Sequence, residues 1–467
     1  MRANLKFLPW NDRAVNICKR RYAALCLLFL GMLLLGLGLT VVNSGAQITV
    51  DWNTTLQTID GFGASATGYT GRFTSDEADK FFNSSAGLGL SLLRIRVIPD
   101  TIDADCGCVA NNTPYACVLG SNSQIVSGDL QVAQLAAARG VRLFAAPWSP
   151  PAAMKSSRSY CTGGSMNGNS ANYASYAGDL ASFPLLLKAK GLSIYAISIQ
   201  NEPNIENPAY DTCSWTAQQI HDFIPYLWDA LSAAGFANIK IGIPEESGWT
   251  FQRMTATTDD PVVAEKVGLI LGHGYEAESP AGIPRIKGLH VWQTEVSDSK
   301  SFDGSMSDGI TWAQHIHNYM TIGANAWMYW QLDCGPAHYN QTNNMCLANQ
   351  EGNFAKRAFV LGQFARFVRP GWQRIEVRNR GGLLVTAYKG PERKFAIVAI
   401  NKSSWFARHQ TFVLNGITFR RSPVTPWLTS ASASLAVQPA VPVTSNGTVF
   451  TYTIPANSVV TFQGQGD

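Results

Sequence analysis

Two glutamates stand where acid–base chemistry would need them. Glu202 closes Ile199-Gln200-Asn201-Glu202 and is followed by Pro203, and Glu295 closes Val291-Trp292-Gln293-Thr294-Glu295. Each ends a short apolar run of the kind that forms a buried strand. They are 93 positions apart, which three strand–loop–helix units of about 31 residues would account for. Two carboxyls brought to one cleft are the pair that cleaves a glycosidic bond: one protonates the leaving oxygen, and the other attacks the anomeric carbon or activates water. The competing reading is a pair of strand-end glutamates that cap neighbouring helices. The residues flanking both glutamates weigh against it.

Other polar and aromatic residues end the remaining apolar runs. Arg94, in Leu92-Leu93-Arg94-Ile95-Arg96, points into the same cleft if side chains alternate along a strand. A buried guanidinium there would keep Glu295 ionised and oriented; Arg96 shares its face and competes for the role. Trp148, Tyr275, Trp292, Tyr329 and Trp330 also end runs, and aromatic faces suit the apolar faces of pyranose rings, with Trp148 and Trp330 the best placed. His273 could bond a sugar or Glu202, or cap a loop. Glu245 and Glu246 end the fifth run and could line the cleft, with no step assigned to them.

These residues need a scaffold that converges strand ends. Eight apolar runs recur at 61–65, 91–97, 141–146, 194–199, 239–243, 267–271, 288–293 and 324–330, each followed by a polar loop and a helix-period segment. Eight alternating β and α units predict a closed (β/α)8 TIM barrel, whose active site lies at the C-terminal ends of the strands. No GxGxxG follows the first run, which argues against a dinucleotide-binding fold. After Pro370-Gly371 the texture changes to short β-branched and aromatic stretches at 383–388, 395–401, 410–414, 434–437 and 448–453, separated by Gly, Pro, Asn and Ser. With the strand-like segment 47–50 they predict a β-sandwich side domain. The expected organisation is a leader over 1–46, a barrel over 59–371, and a side domain from 47–58 plus 372–467. No Pro-, Ser- or Thr-rich linker separates the last two, so the side domain should pack on the barrel.

The leader explains the charge. Six basic residues and Asp12 precede an uncharged apolar run from Ala23 to Val42, and Ser44-Gly45-Ala46 offers small residues for cleavage. A signal peptide is the favoured reading. The run is long enough to be an uncleaved membrane anchor, and either way the rest of the chain would be exported, secreted or anchored outside the membrane. The formal net charge of +4 belongs to this segment, because the remainder holds 30 basic against 31 acidic residues. Nothing in it suggests a nucleic-acid partner. The 15% charged content is below the roughly 25% usual for soluble domains, which leaves a surface polar mainly through uncharged groups. In an oxidising compartment the cysteines beyond the leader should form disulfides. Cys334 with Cys346 could pair, as could Cys106 or Cys108 with Cys117. Cys106-Gly107-Cys108 has neither CxxC spacing nor a nearby His, so no metal is expected, and no cofactor is implied.

The flanking motifs carry a resemblance. Asn201-Glu202-Pro203 with Trp292-Gln293-Thr294-Glu295 is similar to the large clan of retaining (β/α)8 glycosidases. Asp60-Gly61-Phe62-Gly63, Trp148-Ser149-Pro150-Pro151, Ile199-Gln200-Asn201-Glu202-Pro203 and His273-Gly274-Tyr275 resemble glycoside hydrolase family 30. Residues 355–371 are similar to the barrel exit of its bacterial xylanases. The resemblance implies that Glu202 is the general acid/base, that Glu295 is the nucleophile, and that Asn201 bonds the sugar 2-hydroxyl. An ionised Glu295 would be expected to raise the Glu202 carboxyl by like-charge repulsion. The polysaccharide substrate implied is most simply a β-1,4-xylan, cleaved internally; a β-1,6-galactan or glucan, or a glucosylceramide, is the alternative within the family. A non-catalytic carbohydrate-binding barrel is the alternative of another class, although such proteins usually lose one carboxylate. Glucuronate-dependent members carry an Arg in the loop after strand eight. Here that loop begins Gln331-Leu332-Asp333-Cys334-Gly335, with no Arg before Lys356.

Overall fold

The computed structural model describes residues 41–43, 47–67, 73–97, 107–110, 113–116, 124–160, 163–207, 210–275, 288–335, 342–379, 381–420, 423–444 and 446–467. Eight parallel strands form a closed barrel: β1 Gly61–Ser65, β2 Leu92–Val97, β3 Arg142–Pro147, β4 Ile194–Ser198, β5 Lys240–Glu246, β6 Val267–His273, β7 His290–Glu295 and β8 Ala326–Asp333. Pairing of β8 with both β7 and β1 closes the ring. All eight expected runs are strands. The structure extends β5, β6, β7 and β8 by two or three residues past their apolar stretches, because the polar residues at the mouth continue the hydrogen-bonded ladder after hydrophobic burial has ended. The chemistry-bearing side chains occupy that extension.

Alternation decides which residues face the barrel axis. Leu92, Phe144, Ala146, Trp148, Ala196, Leu269, Leu271, Trp292, Ala326, Met328 and Trp330 form one interior cluster, while their strand neighbours pack outward under the helices. The floor is polar at one point. Trp292 Nε1 donates to Asp60 Oδ2 at 2.6 Å, and His290 Nδ1 lies 2.6 Å from the same oxygen. Trp292 is fully buried and stacks on Tyr195 at 5.7 Å, so it belongs to the core and not to the rim expected of it. Tyr329 points the other way, into the helix layer against Trp312, and donates to Asn344 O. The Asp60-Gly61-Phe62-Gly63 motif therefore closes the barrel floor. A Cβ on Gly63 would lie 2.2 Å from Leu92 O, so only glycine lets β1 and β2 approach this closely.

The outer helices have the local signals expected of them. Ala217–Ala233 starts with a capping box between Thr216 and Gln219, and Met306–Ile322 runs from a Ser305 cap to Gly323 at φ 102°. Among the described residues no helix is long and apolar enough to cross a membrane; the apolar run 23–42 lies outside them except at Val41 and Val42.

The second sheet has ten strands, mostly antiparallel. Ile48–Thr58 is an interior strand between Ala407–Asn415 and Gln373–Arg378, and the order then continues through Leu384–Lys389, Lys394–Asn401, Ser458–Gln465, Thr425–Thr429 and Ala436–Val437. Val449–Ile454 pairs on the other side of Ala407–Asn415, and Val41–Asn43 extends the row containing Ile48–Thr58. The sheet folds over itself, so that Phe412, Phe450 and Phe462 meet at 4.8–5.1 Å inside a separate apolar core. Gln373–Arg378 and Thr425–Thr429 were not legible as apolar stretches, because charged residues or Pro interrupt them, whereas Ser458–Gln465 was missed although Val459-Val460-Thr461-Phe462 has the same β-branched and aromatic texture as the others. The sheet packs on the barrel: Tyr388, Ala396, Val398, Ile400 and Val459 join the barrel's main cluster. Gln363 bridges the two parts, donating to Thr429 Oγ1 and accepting from Thr461 Oγ1 at 2.8 Å each.

Cys334 and Cys346 form a disulfide at the end of β8, and Cys213 is a buried free thiol. The alternative pairings of Cys106 or Cys108 with Cys117 lie outside the residues whose side chains are described.

Candidate active site

Glu202 and Glu295 converge at the C-terminal mouth. Glu202 lies just beyond β4 with φ 47°, a left-handed conformation rare for a side-chain-bearing residue. Its backbone N donates to Glu245 O at 3.0 Å, while Asn201 N donates to Pro147 O at 2.7 Å, so the turn is tied to both neighbouring strands. Glu295 ends β7, opposite His273 of β6. A register shift between Gly272 and His273 brings these two residues level, the re-aiming for which a β-bulge serves. One carboxylate oxygen of Glu202, one of Glu295 and one His273 nitrogen all lie within 4.8 Å of each other.

The partners of the two carboxyls differ. Glu295 accepts from Arg94 Nη1 at 2.6 Å and from the Tyr275 hydroxyl at 2.7 Å. Glu202 accepts from the Tyr210 hydroxyl at 2.9 Å and meets His273 Nδ1 at 3.1 Å. Arg94 is fully buried and serves three residues at once: its Nη2 donates to Asn201 Oδ1 at 2.6 Å, and its Nε lies 3.2 Å from Glu245 Oε1. Arg96, its competitor for the Glu295 contact, instead pairs with Asp211 beside the mouth. Tyr275 keeps 41% of its surface open to solvent while its hydroxyl reaches inward.

The charges form one coupled group. Burial alone would push His273 down, but the carboxylates of Glu295, Glu202 and Glu245 drive it up to about 9. Glu245, wholly buried, is held below its ordinary value despite that burial by Arg94 and His273. Burial raises Glu295, with the Glu202 charge adding to it against His273 and Arg94. Glu202 is also disfavoured by burial, yet the hydrogen bonds from His273 and Tyr210 bring it below its ordinary value. The repulsion expected between the two carboxyls is present, and at Glu202 the bonds from His273 and Tyr210 outweigh it. Two sequence runs supply the two carboxyls, but the imidazole that overrides their repulsion comes from a third. Glu202, His273 and Glu295 could each offer a ligand to a cation. The positive charge of the site is already built in, through Arg94 against Glu295 and through a protonated His273.

The remaining expected residues divide between the mouth and its surroundings. Trp148 and Trp330 sit side by side with centroids 5.9 Å apart, and the Arg94 guanidinium lies 4.6 Å from the Trp148 ring. Glu245 joins the site, whereas Glu246 turns away to accept from Thr250 and the Phe251 backbone and to pair with Arg253 at 3.3 Å. Tyr210 was missed. It lies in the loop eight residues after Glu202, where no periodicity or motif marks it. Lys155 was missed too: it is fully buried and donates to Ser149 Oγ, Tyr160 O and Thr212 O at 2.7–3.0 Å, fixing the Trp148 loop against the loop after β4.

Two carboxyls this close at the mouth of a (β/α)8 barrel fit the separation of about 5–5.5 Å used by retaining enzymes, and fall short of the roughly 6.5–9.5 Å that leaves room for water in inverting ones. The protein is a retaining glycoside hydrolase. Its residues 122–328 match the glycosyl hydrolase family 30 TIM-barrel domain. The chain is 31% identical over 453 residues to the glucuronoxylanase XynC of Bacillus subtilis (strain 168), covering 92% of this chain and 94% of that protein. Among solved structures it is similar to the family 30 subfamily 8 xylanase Xyn30A of Clostridium acetobutylicum, with 30% identity, a TM-score of 0.74, and 90% and 99% of the two chains covered. It also resembles the catalytic domain of xylanase C from Talaromyces cellulolyticus, with 26% identity, a TM-score of 0.75, and 90% and 100% covered. The chain belongs to glycosyl hydrolase family 30.

Proposed function

We propose that this enzyme is an exported endo-β-1,4-xylanase in which Glu295 is the nucleophile and Glu202 the general acid/base. The observation that carries the assignment of roles is the unequal dressing of two adjacent carboxyls. Glu295 faces a guanidinium and a phenol, donors that hold an attacking oxygen in one orientation as a carboxylate. Glu202 faces an imidazole, a partner that can return a proton. In the free enzyme that proton rests on His273. Its transfer along the 3.1 Å contact leaves a neutral imidazole and a protonated Glu202. Glu202 then protonates the leaving oxygen while Glu295 bonds the anomeric carbon. Once Glu295 is esterified its charge is gone, and Glu202 takes a proton from the water that breaks the ester. Asn201, held through its Oδ1 by Arg94, is placed to donate to the sugar 2-hydroxyl, and Trp148 and Trp330 offer an apolar shelf for a pyranose ring.

The relatives named as xylanases support xylan as the substrate, and the basic leader with its apolar run supports export. The segment Gln331–Gly335 presents Asp333, whose Oδ1 accepts from Gly335 N at 2.9 Å, and no Arg follows before residue 357. We therefore assign cleavage without strict dependence on a glucuronate substituent. Product analysis on glucuronoxylan, arabinoxylan, β-1,6-galactan and β-1,6-glucan tests this, with Glu295→Gln as control. Xylo-oligosaccharides of mixed length from both xylans are expected. Release from neither xylan, or unchanged activity in Glu295→Gln, would sink it.

A further inference from the structure

A groove on the side domain lies between Trp52, Lys389, Pro391 and Arg393. It is open to solvent and holds about 390 Å³, within the range of about 300–1,000 Å³ usual for ligand sites. Gly371, Gln373 and Gly390 are among its lining residues. A Cβ on Gly390 would lie 2.1 Å from the Trp372 ring, so glycine is needed there for the chain to pass over buried Trp372. Trp52 and Pro391 are among its walls, and Lys389 and Arg393 bring two positive charges with no carboxylate among the lining residues. Lys389 Nζ is fixed, donating to Trp52 O at 2.9 Å and standing 5.7 Å from the Trp52 ring centroid. Arg393 is exposed. The adjacent acid, Glu392, is turned to Lys394 at 2.7 Å.

The groove is remote from the catalytic mouth. Gly371 N donates to Ile59 O, and Ile59 N to Trp372 O, immediately before β1. This places it at the N-terminal end of the barrel strands, where no catalytic residue stands. An aromatic wall and two cations match a sugar ring that carries an anion. We propose that this groove is a secondary binding site for uronic-acid residues of the polysaccharide, with Trp52 against the sugar ring and Lys389 and Arg393 on its carboxylate. The proposal rests on the xylan assignment only for the identity of the polymer. It supplies through a non-catalytic surface the carboxylate recognition that the loop after β8 lacks.

The test measures retention of the Glu295→Gln protein on glucuronoxylan and on the same polymer after chemical reduction of its carboxyls. Arg393→Glu and Trp52→Ala are each introduced in that background. About tenfold weaker retention of both variants on glucuronoxylan is expected, with the Arg393→Glu difference abolished on the reduced polymer, as one charge-assisted contact is worth roughly that factor. Arg393→Glu in the active enzyme should leave kcat on short unsubstituted xylo-oligosaccharides unchanged. Because Trp52 also touches the side-domain core, thermal unfolding of each variant accompanies the measurement, and Arg393→Glu decides the case if Trp52→Ala is unstable. Retention equal to that of the parent in Arg393→Glu, or a loss of the same size on both polymers, would overturn the site. Carboxyl-dependent retention without turnover of any xylan would leave the site standing and refute the xylanase assignment instead.

Discussion

Replacing His273 by asparagine tests how the enzyme holds its catalytic proton. In the wild type Glu202 and His273 share a proton across 3.1 Å, and the imidazole, raised to about 9 by three carboxylates, is where it rests. The alkaline limb of kcat/KM reports the free enzyme's essential acid, here the pair and not either residue alone. The proton is present below the raised value and lost as pH rises through it, so wild-type activity should persist to about pH 9. In His273→Asn the new amide would keep a hydrogen-bond donor near the Nδ1 position but cannot hold the proton. Glu202 must then retain it alone, helped by burial and by the Glu295 charge. Enzymes tune such glutamates to about 6–7 at most by these means, so the alkaline limb should move down by about two pH units or more. A limb displaced by about two units means about 100-fold lower kcat/KM on the alkaline side. The assay is a pH profile of kcat/KM on a soluble xylan, with stability checked across the range. An unmoved alkaline limb with a merely lower plateau would refute the shared proton and leave His273 a positioning residue.

Three other perturbations follow from the geometry. Glu202→Gln should lower turnover of xylan by about 10²–10⁴-fold yet spare bond cleavage in an aryl xylobioside whose leaving group needs no proton; equal losses on both substrates would argue against acid catalysis by Glu202. Arg94→Met leaves Glu245 and Glu295 buried without their guanidinium, and loss of one partner from such a group costs about 3–5 kcal/mol, read as a lower urea midpoint; an unchanged midpoint would contradict the charge balance described. Replacing Cys334 and Cys346 together by Ser opens a loop with a sequence separation of 12, which should cost about 2–3 kcal/mol in the chain-entropy view and reproduce the stability of the reduced wild type; a double variant as stable as the oxidised protein would contradict that view.

Much of this protein was readable from sequence because two signals there are local. Apolar runs of five or six residues must be buried strands, and their number and alternation with helical segments limit the architecture to a barrel. A polar or aromatic residue two or three positions beyond such a run stands at the mouth whatever the detailed packing, so Glu202, Glu295, His273 and Trp148 were legible from position alone. Side-domain strands broken by Arg or Pro were not, since their burial comes from a neighbouring sheet that local periodicity does not report.

Tertiary structure decided everything that depends on which atoms meet. Arg94 and Arg96 share a face and a motif, and only the closed barrel gives the first to Glu295 and the second to Asp211. Glu245 and Glu246 are adjacent, and a left-handed backbone at Glu245 with a register shift against the next strand sends one to the site and the other to a loop. Trp292 lies in the catalytic motif and is nonetheless a floor residue. Tyr210 enters from an unmarked loop. What balances the two carboxyls also belongs to the fold: the sequence places two like charges in one cleft, which by themselves repel, and an imidazole at 3.1 Å from Glu202 offsets that repulsion, a distance created by strand β6 and its register shift.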